Sequence, residues 1–261
     1  MVVTLLTDFG TADYFVGAMK GAVLAADPRA QVVDITHEIP AFDVEGAAFT
    51  LASAFESFPA GTVHVAVVDP GVGSARRPLA VEALGHFFVG PDNGLFTQVY
   101  ARARRYRVFH LTNEEYFRRN VSTTFHGRDI FAPAAGALSR GVRPEELGPQ
   151  IDDEMRLPHA APRRLPDGTL EASIIHVDRF GNCVTNLRPE DLPEGIATLT
   201  VNGREIKTFR RFYAEGAADD DNDDAKPFAI WGSAGLLELA LNRAAAADAL
   251  GARRGQKVYI K

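Results

Sequence analysis

Apolar and polar stretches alternate along the first half of the chain in a repeating block. Val2–Leu6 is a short, almost wholly apolar run that reads as a buried strand, followed by the polar loop Thr7-Asp8-Phe9-Gly10. Tyr14 to Ala26 reads as a helix. Gly17 and Gly21 share one of its faces, where a helix can approach a sheet closely, and Asp27-Pro28 ends it. The block recurs as a strand at Gln31–Ile35, the turn Thr36-His37-Glu38-Ile39-Pro40 and a helix from Val44 to Phe58. Thr62–Val68 is a third strand, leading into Asp69-Pro70-Gly71-Val72-Gly73. Leu79–Ala83 and His86–Val89 form a strand pair, and Pro91-Asp92-Asn93-Gly94 turns into a helix over Leu95–Arg104. Such alternation predicts an α/β domain with a mostly parallel sheet and helices on its faces.

The texture then changes. Pro144, Pro149, Pro158, Pro162 and Pro166, with Pro133 just upstream, interrupt any periodicity. Beyond them come short runs that read as strands: Thr169–Val177, Ala197–Val201, Glu205–Phe209, Phe228–Trp231 and Lys257–Ile260. Val201-Asn202-Gly203-Arg204 gives a hairpin signal, and a helix is predicted over Leu236–Ala247. The expected organisation is an α/β domain over 1–156, a linker over 157–168 and a smaller, mostly β domain over 169–261. The acidic run from Glu215 to Lys226 lacks the spacing of a calcium loop and reads as a solvated loop.

Composition narrows the function. A chain of 261 residues with 46% hydrophobic residues can bury a sizeable core, and a net charge of -6 argues against a nucleic-acid partner. A single cysteine, Cys183, permits no internal disulfide and suits a reducing cytoplasm; it reads as a small buried residue. No run approaches the ~20 apolar residues of a membrane span, and the N-terminus lacks the features of a signal peptide. The seven histidines show no metal-ligand spacing, so no metal is expected. No G-x-S-x-G elbow marks a serine hydrolase.

The candidate chemistry lies in the loops that follow strands. In an open parallel sheet these loops share one edge, where ligands bind. Asp8 can accept from both hydroxyls of a ribose, with Asp13 better placed to cap the following helix. The stretch Asp69 to Arg77 fits neither a P-loop nor a dinucleotide fingerprint. A phosphate cradle, a polarised Asp–Arg pair and a structural salt bridge all remain open there. His126, beside Gly127 and before a helix, can exchange a proton, whereas Asp129 caps or pairs with Arg128. In the second half, Asp178 suits an ammonium, Phe180 a stacked base and Asn182 a purine edge. The amides of Trp231-Gly232-Ser233-Ala234-Gly235, read as a helix start, suit a carboxylate.

Seven strings in order, TLLTDFG, VVDITHEI, VVDPGVGSARR, GPDNGLF, TFHGRDIFAP, DRFGNCVTN and WGSAGLLELA, give the chain a family likeness over nearly its whole length. It resembles the S-adenosyl-L-methionine hydroxide adenosyltransferases, relatives of the fluorinating and chlorinating adenosyl enzymes. The resemblance implies attack of water or hydroxide on the ribose 5′ carbon, giving adenosine and L-methionine, with no cofactor. It implies a β-barrel-like C-terminal domain and a homotrimer whose sites lie between subunits. It further implies that Asp69, Arg76 and His126 hold the attacking water and that Asp8 grips the ribose. On the same grounds Asp178 and Ser233 lie near the methionine amine and carboxylate, and Phe180 and Asn182 near the adenine. A non-catalytic S-adenosylmethionine or adenosine binder and a nucleoside hydrolase are the competing readings.

Overall fold

The computed structural model describes residues 1–158, 161–192, 198–215 and 226–261. The acidic run between 216 and 225, and Ala197 at the start of one expected strand, lie outside the described residues. The chain divides into two units, Met1–Leu157 and Pro158–Lys261.

The first unit is built on seven strands: β1 (Val2–Thr7), β2 (Gln31–Thr36), β3 (Val63–Val67), β4 (Pro78–Ala83), β5 (His86–Pro91), β6 (Tyr106–His110) and β7 (Gln150–Ile151). They pair in the order β2-β1-β3-β5-β4-β6-β7. The neighbours β2, β1, β3 and β5 are parallel; β4 opposes β5 and β6, and β7 opposes β6. The sheet is therefore mixed, with most of its strands pointing one way.

Its helices are α1 (Phe15–Ala26), α2 (Val44–Ala54), α3 (Thr97–Arg102), α4 (Ala132–Ser139) and α5 (Pro144–Leu147). Both faces of the central strands are covered, which is why β1 and β3 read as continuous apolar runs rather than alternating ones. Val3, Leu5, Val63, Val65 and Val67 point into a core shared with Met19 and Val23 of α1 and Ala134 and Leu138 of α4. Leu6 and Ala66 point the other way, into a core with Leu51 of α2 and Val99 of α3. Each fully buried Val, Leu or Met side chain among them contributes roughly 1.5–3 kcal/mol.

Two consequences position the site. The carboxyl ends of β1, β2, β3 and β5 lie on one edge, so the four polar loops read from the sequence emerge together. Also, β3 is not the neighbour of β4: the loop over 68–77 steps across the end of β5 to reach it.

The second unit is mostly β. Among the described residues it comprises β8 (Arg163–Arg164), β9 (Leu170–Val177), β10 (Cys183–Thr185), β11 (Leu199–Val201), β12 (Arg204–Ile206), β13 (Phe209–Arg210), β14 (Phe228–Trp231), β15 (Leu237–Ala240) and β16 (Lys257–Ile260), with a short α-helix, α6 (Ala246–Leu250). The strands pair in the order β12-β11-β16-β9-β10-β15-β14-β13, and β8 lies on β9. Arg163 and Arg164, within the stretch read as a linker, thus form a short edge strand.

The hairpin at Val201–Arg204 is present. Asn202 and Gly203 take φ of 50° and 76°, as a two-residue hairpin turn requires. The helix expected over Leu236–Ala247 is not. Leu237–Ala240 is strand β15, paired on one side with β10 and on the other with β14. Leu, Glu and Ala favour a helix, but pairing on both edges and burial of Leu237 and Leu239 override that preference.

Candidate active site

The four strand-end loops of the first unit are hydrogen-bonded in two pairs. Gly10 N–H donates to the His37 carbonyl at 2.8 Å, joining the loops after β1 and β2. The Asn93 side-chain amide donates to the Val68 carbonyl at 2.8 Å, joining those after β5 and β3. His37 Nδ1 lies 2.9 Å from Thr7 Oγ1. Asp92 is a scaffold residue: it receives Arg77 Nε and Nη2 on one oxygen and the Met155 N–H on the other.

Asp8 opens the first loop. Its Oδ2 accepts the N–H of Phe42 at 2.9 Å, which leaves the other carboxylate oxygen for a ligand. Phe42 has φ of 68°, an unfavourable conformation for an aromatic residue, and its side chain is largely exposed. Nothing in the sequence marks this residue beyond its lying in the turn before α2. Asp13 does not cap α1: the helix starts after Tyr14 without a side-chain cap. The next helix, α2, does have one, from Asp43 to the Gly46 N–H.

Asp69, Arg76 and His126 come together. Arg76 Nε donates to both Asp69 oxygens at 3.0 Å, and Nη2 donates to Oδ2 at 2.5 Å. The same Nη2 lies 2.7 Å from His126 Nδ1. The ring of Phe131 lies beneath the guanidinium, 5.2 Å from its carbon. The pair is withdrawn from solvent, with side-chain exposures of 8% for Arg76 and 5% for Asp69. Arg76 Nη1 is buried and has no hydrogen-bond partner. Among the described residues the other such atom is His37 Nε2, which sits 3.1 Å from an Asp34 oxygen outside hydrogen-bond geometry. A buried guanidinium N–H left open is costly, and a polar ligand at that point removes the cost.

The histidine is neutral in this arrangement. Burial and the Arg76 guanidinium hold its pKa below the ordinary 6.5, against the opposing pull of Asp69 and Asp129. The loop geometry excludes the phosphate-cradle reading of the Asp69–Arg77 stretch, because its arginines face carboxylates, Arg76 on Asp69 and Arg77 on Asp92 and Asp153.

Two loops form this contact. Gly73 has φ of 78°, and a Cβ there would overlap the Thr123 carbonyl oxygen. The loop bearing Arg76 is thus pressed directly onto the segment that precedes His126. His126 itself begins a π-helical turn, Gly127–Phe131, that runs on into α4.

The remaining candidates lie in the second unit. Asp178 to Asn182 is the turn between β9 and β10. Asp178 Oδ1 accepts the N–H groups of Phe180 and Asn182, at 2.9 and 2.8 Å, and Oδ2 accepts the Asn182 side-chain amide at 2.9 Å. Gly181, at φ of 82°, packs against Ala245 where no side chain fits. Phe180, at the tip, is 78% exposed. Ser233 lies in the tight turn joining β14 to β15, closed by Gly232 N–H to the Leu236 carbonyl. It is not at a helix start, so the expectation of an anion held by a helix N-terminus is withdrawn. Cys183 is fully buried, and burial together with Asp178 pushes its thiol up to about 11, so it is no nucleophile.

No group of three or more His, Cys, Asp or Glu is arranged to hold a metal ion among the described residues, and no helix among them is long and apolar enough to cross a membrane.

Comparison with known proteins bears on this site. Residues 3–148 match the SAM hydroxide adenosyltransferase N-terminal domain and residues 172–259 the C-terminal domain. The chain is 41% identical over 270 residues to the (R)-S-adenosyl-L-methionine hydrolase of Thermus thermophilus, covering 99% of this chain and 98% of the relative. The Salinispora arenicola hydrolase is 36% identical, covering 99% and 97%. A fluorinase from an Actinoplanes species is more distant, at 25%. Among solved structures, an uncharacterized conserved protein from Thermotoga maritima superposes with a TM-score of 0.89 at 30% identity, covering 100% and 99% of the two chains. A conserved hypothetical protein from Thermus thermophilus gives 0.78 at 39%, covering 99% of each.

Proposed function

As the chain belongs to the SAM hydroxide adenosyltransferase family, we propose that the Asp69–Arg76–His126 group is where it activates water for the hydrolysis of S-adenosyl-L-methionine to adenosine and L-methionine. The observation that carries this assignment is the buried, unpartnered Nη1 of Arg76 beside a neutral histidine. That nitrogen is a donor in want of an oxygen.

The chemistry asks little of the protein. Water oxygen bonds to the 5′ carbon as the carbon–sulfur bond breaks. The electron pair passes to sulfur, which leaves as the uncharged thioether of methionine, and one water proton passes to Asp69 or, through it, to solvent. The sulfonium is already a good leaving group, so no acid is needed to expel it. The work is to strip and align one water in line with the bond that breaks, which is chiefly a proximity effect. Arg76 Nη1 and the Nε2–H of His126 are two donors for that oxygen, and both stabilise it as it takes on hydroxide character.

Asp8 is assigned to the ribose hydroxyls, Asp178 and Ser233 to the methionine end, and Phe180 and Asn182 to the adenine. These residues are divided between Met1–Leu157 and Pro158–Lys261, and we assign the complete site to a homotrimer in which neighbouring subunits supply its two halves. The exposed Phe180 supports this, since so open an aromatic at a turn tip suits burial against a partner or ligand.

The test is to incubate the pure protein with S-adenosyl-L-methionine, with and without chelator, and to identify the products by chromatography. Adenosine and methionine in equal amounts, unaffected by chelation, are expected. Free adenine would instead indicate a nucleoside hydrolase, and no turnover a binding protein. A fully active monomer in sedimentation would overturn the shared site.

A further inference from the structure

Asp129 is wholly buried although it carries a carboxylate, and no step of the reaction uses it. Its surroundings account for it. Oδ1 accepts from Arg128 Nε at 2.6 Å, and Oδ2 accepts from Arg128 Nη2 and from the Ser122 N–H, each at 2.9 Å. Arg118 Nη1 adds a longer contact at 3.4 Å, and the Arg118 N–H donates to the Asp129 carbonyl at 2.9 Å. One residue thus ties Arg118 and Ser122, in the segment that leads to His126, to the π-helical turn.

That segment carries both contacts on which the water site depends. Thr123, next to the clamped Ser122, is the residue whose carbonyl presses on Gly73 in the Arg76 loop. His126, three residues before Asp129, presents Nδ1 to Arg76. Arg128 also stacks over the ring of Phe125, 4.9 Å from its centre. Phe125 in turn meets Phe9 and Phe15 edge-on, reaching the loop that holds Asp8. A buried charge that loses a partner is destabilising, so a carboxylate here fixes its neighbours more stringently than an apolar residue of the same size.

We propose that Asp129 is a positioning residue for the hydrolysis: by holding Ser122 and Arg128 it sets the register between the His126 turn and the Arg76 loop, and so keeps His126 Nδ1 as the acceptor of the Arg76 hydrogen bond. This rests on the assignment of Asp69, Arg76 and His126 to the attacking water. Asp129 touches none of the reacting atoms; it acts through His126.

The variant Asp129→Asn keeps size and shape but can no longer accept on both sides. In the full-length protein it is expected to lower kcat at least tenfold while KM for S-adenosyl-L-methionine stays within twofold. Nitrogen-15 spectra of the imidazoles read the second arm without substrate. The wild type is expected to show His126 protonated on Nε2 and bare on Nδ1, and Asp129→Asn to lose that single-tautomer signature. Should Asp129→Asn fail to fold, Arg128→Lys at the rim gives the same two readouts. An unchanged kcat with the tautomer intact overturns the proposal, as does a rise in KM alone. A wild type that shows the tautomer but does not hydrolyse S-adenosyl-L-methionine would instead overturn the functional assignment, and the Asp129→Asn spectrum would then decide alone whether Asp129 positions His126.

Discussion

Arg76 Nη2 lies 2.7 Å from Nδ1 of His126, and because a guanidinium can only donate, the imidazole must accept there. The ring's single proton therefore sits on Nε2. On the proposed assignment, His126 then meets the attacking oxygen as a donor and not as a base. From sequence His126 reads as able to exchange a proton; this contact removes it as the acceptor in its resting form.

Replacing Arg76 with lysine keeps the charge but loses the fork that engages Asp69, His126 and the open Nη1 direction at once. Arg76→Lys is expected to lower kcat by about a hundredfold or more, the cost of removing one such donor, with S-adenosyl-L-methionine affinity nearly unchanged. Single-turnover rates beside calorimetric titration make the comparison. A loss confined to affinity would refute the water-activating role.

Protonating His126 puts a second cation against Arg76. Since its pKa lies below 6.5 in the folded protein, the active neutral form persists on the acid side of 6.5 and is lost only as pH falls through the lowered value. The acid limb of kcat/KM against pH is expected to have its midpoint below 6.5. A midpoint above 6.5 contradicts the arrangement.

Asp8→Ala removes the acceptor proposed for the ribose and the partner of the strained Phe42 N–H. Hydrogen bonds to a charged group contribute about 1.5–3 kcal/mol, so the dissociation constant of adenosine, read by titration, is expected to rise roughly ten- to a hundredfold. Unaltered binding would remove Asp8 from the site.

The sequence shows most of the first unit because its signals are local: apolar strands, then glycine, proline and acid at their ends. It does not show that His126 meets Arg76, a contact across fifty positions that depends on the loop crossing β5 and on Gly73 resting against Thr123. Nor does it show β15. Leu236–Ala240 has helical composition, and only the strands on either side make it extended. Asp13 likewise looks like a cap, yet α1 begins at Tyr14–Phe15 without one.

Gly73→Ala tests that close approach. A positive φ costs a β-carbon roughly 1–2 kcal/mol, and the new methyl must also displace the Thr123 carbonyl. A lowered Tm together with reduced kcat is expected; full activity at a native Tm would show that the two loops are not in contact.

A separate buried pair contributes to the pH dependence of stability. His64 Nδ1 lies 2.7 Å from Thr4 Oγ1, and its Nε2 lies 3.3 Å from His86 Nδ1. Burial, reinforced by His86, lowers the His64 pKa to about 3. The unfolded chain takes up this proton near 6.5 and the folded one does not. The stability it confers is complete above 6.5 and is lost as pH falls towards 3, at about 1.4 kcal/mol per pH unit. Urea midpoints of the wild type are expected to drop between pH 6.5 and 5, and those of His64→Gln to drop less. Equal slopes would refute it.

The ion pair of Asp69 and Arg76, with a neutral histidine, has no net charge of its own. In the proposed reaction the sulfonium is then the main positive counterpart of an incoming hydroxide, and the two cancel as the bond forms. Charge is annihilated along the reaction path, so a dry, weakly polar cavity speeds it where water would shield the reactants from each other. Once adenosine and thioether have formed, that attraction has gone, and the products are held only by the contacts at their ribose, adenine and amino-acid ends.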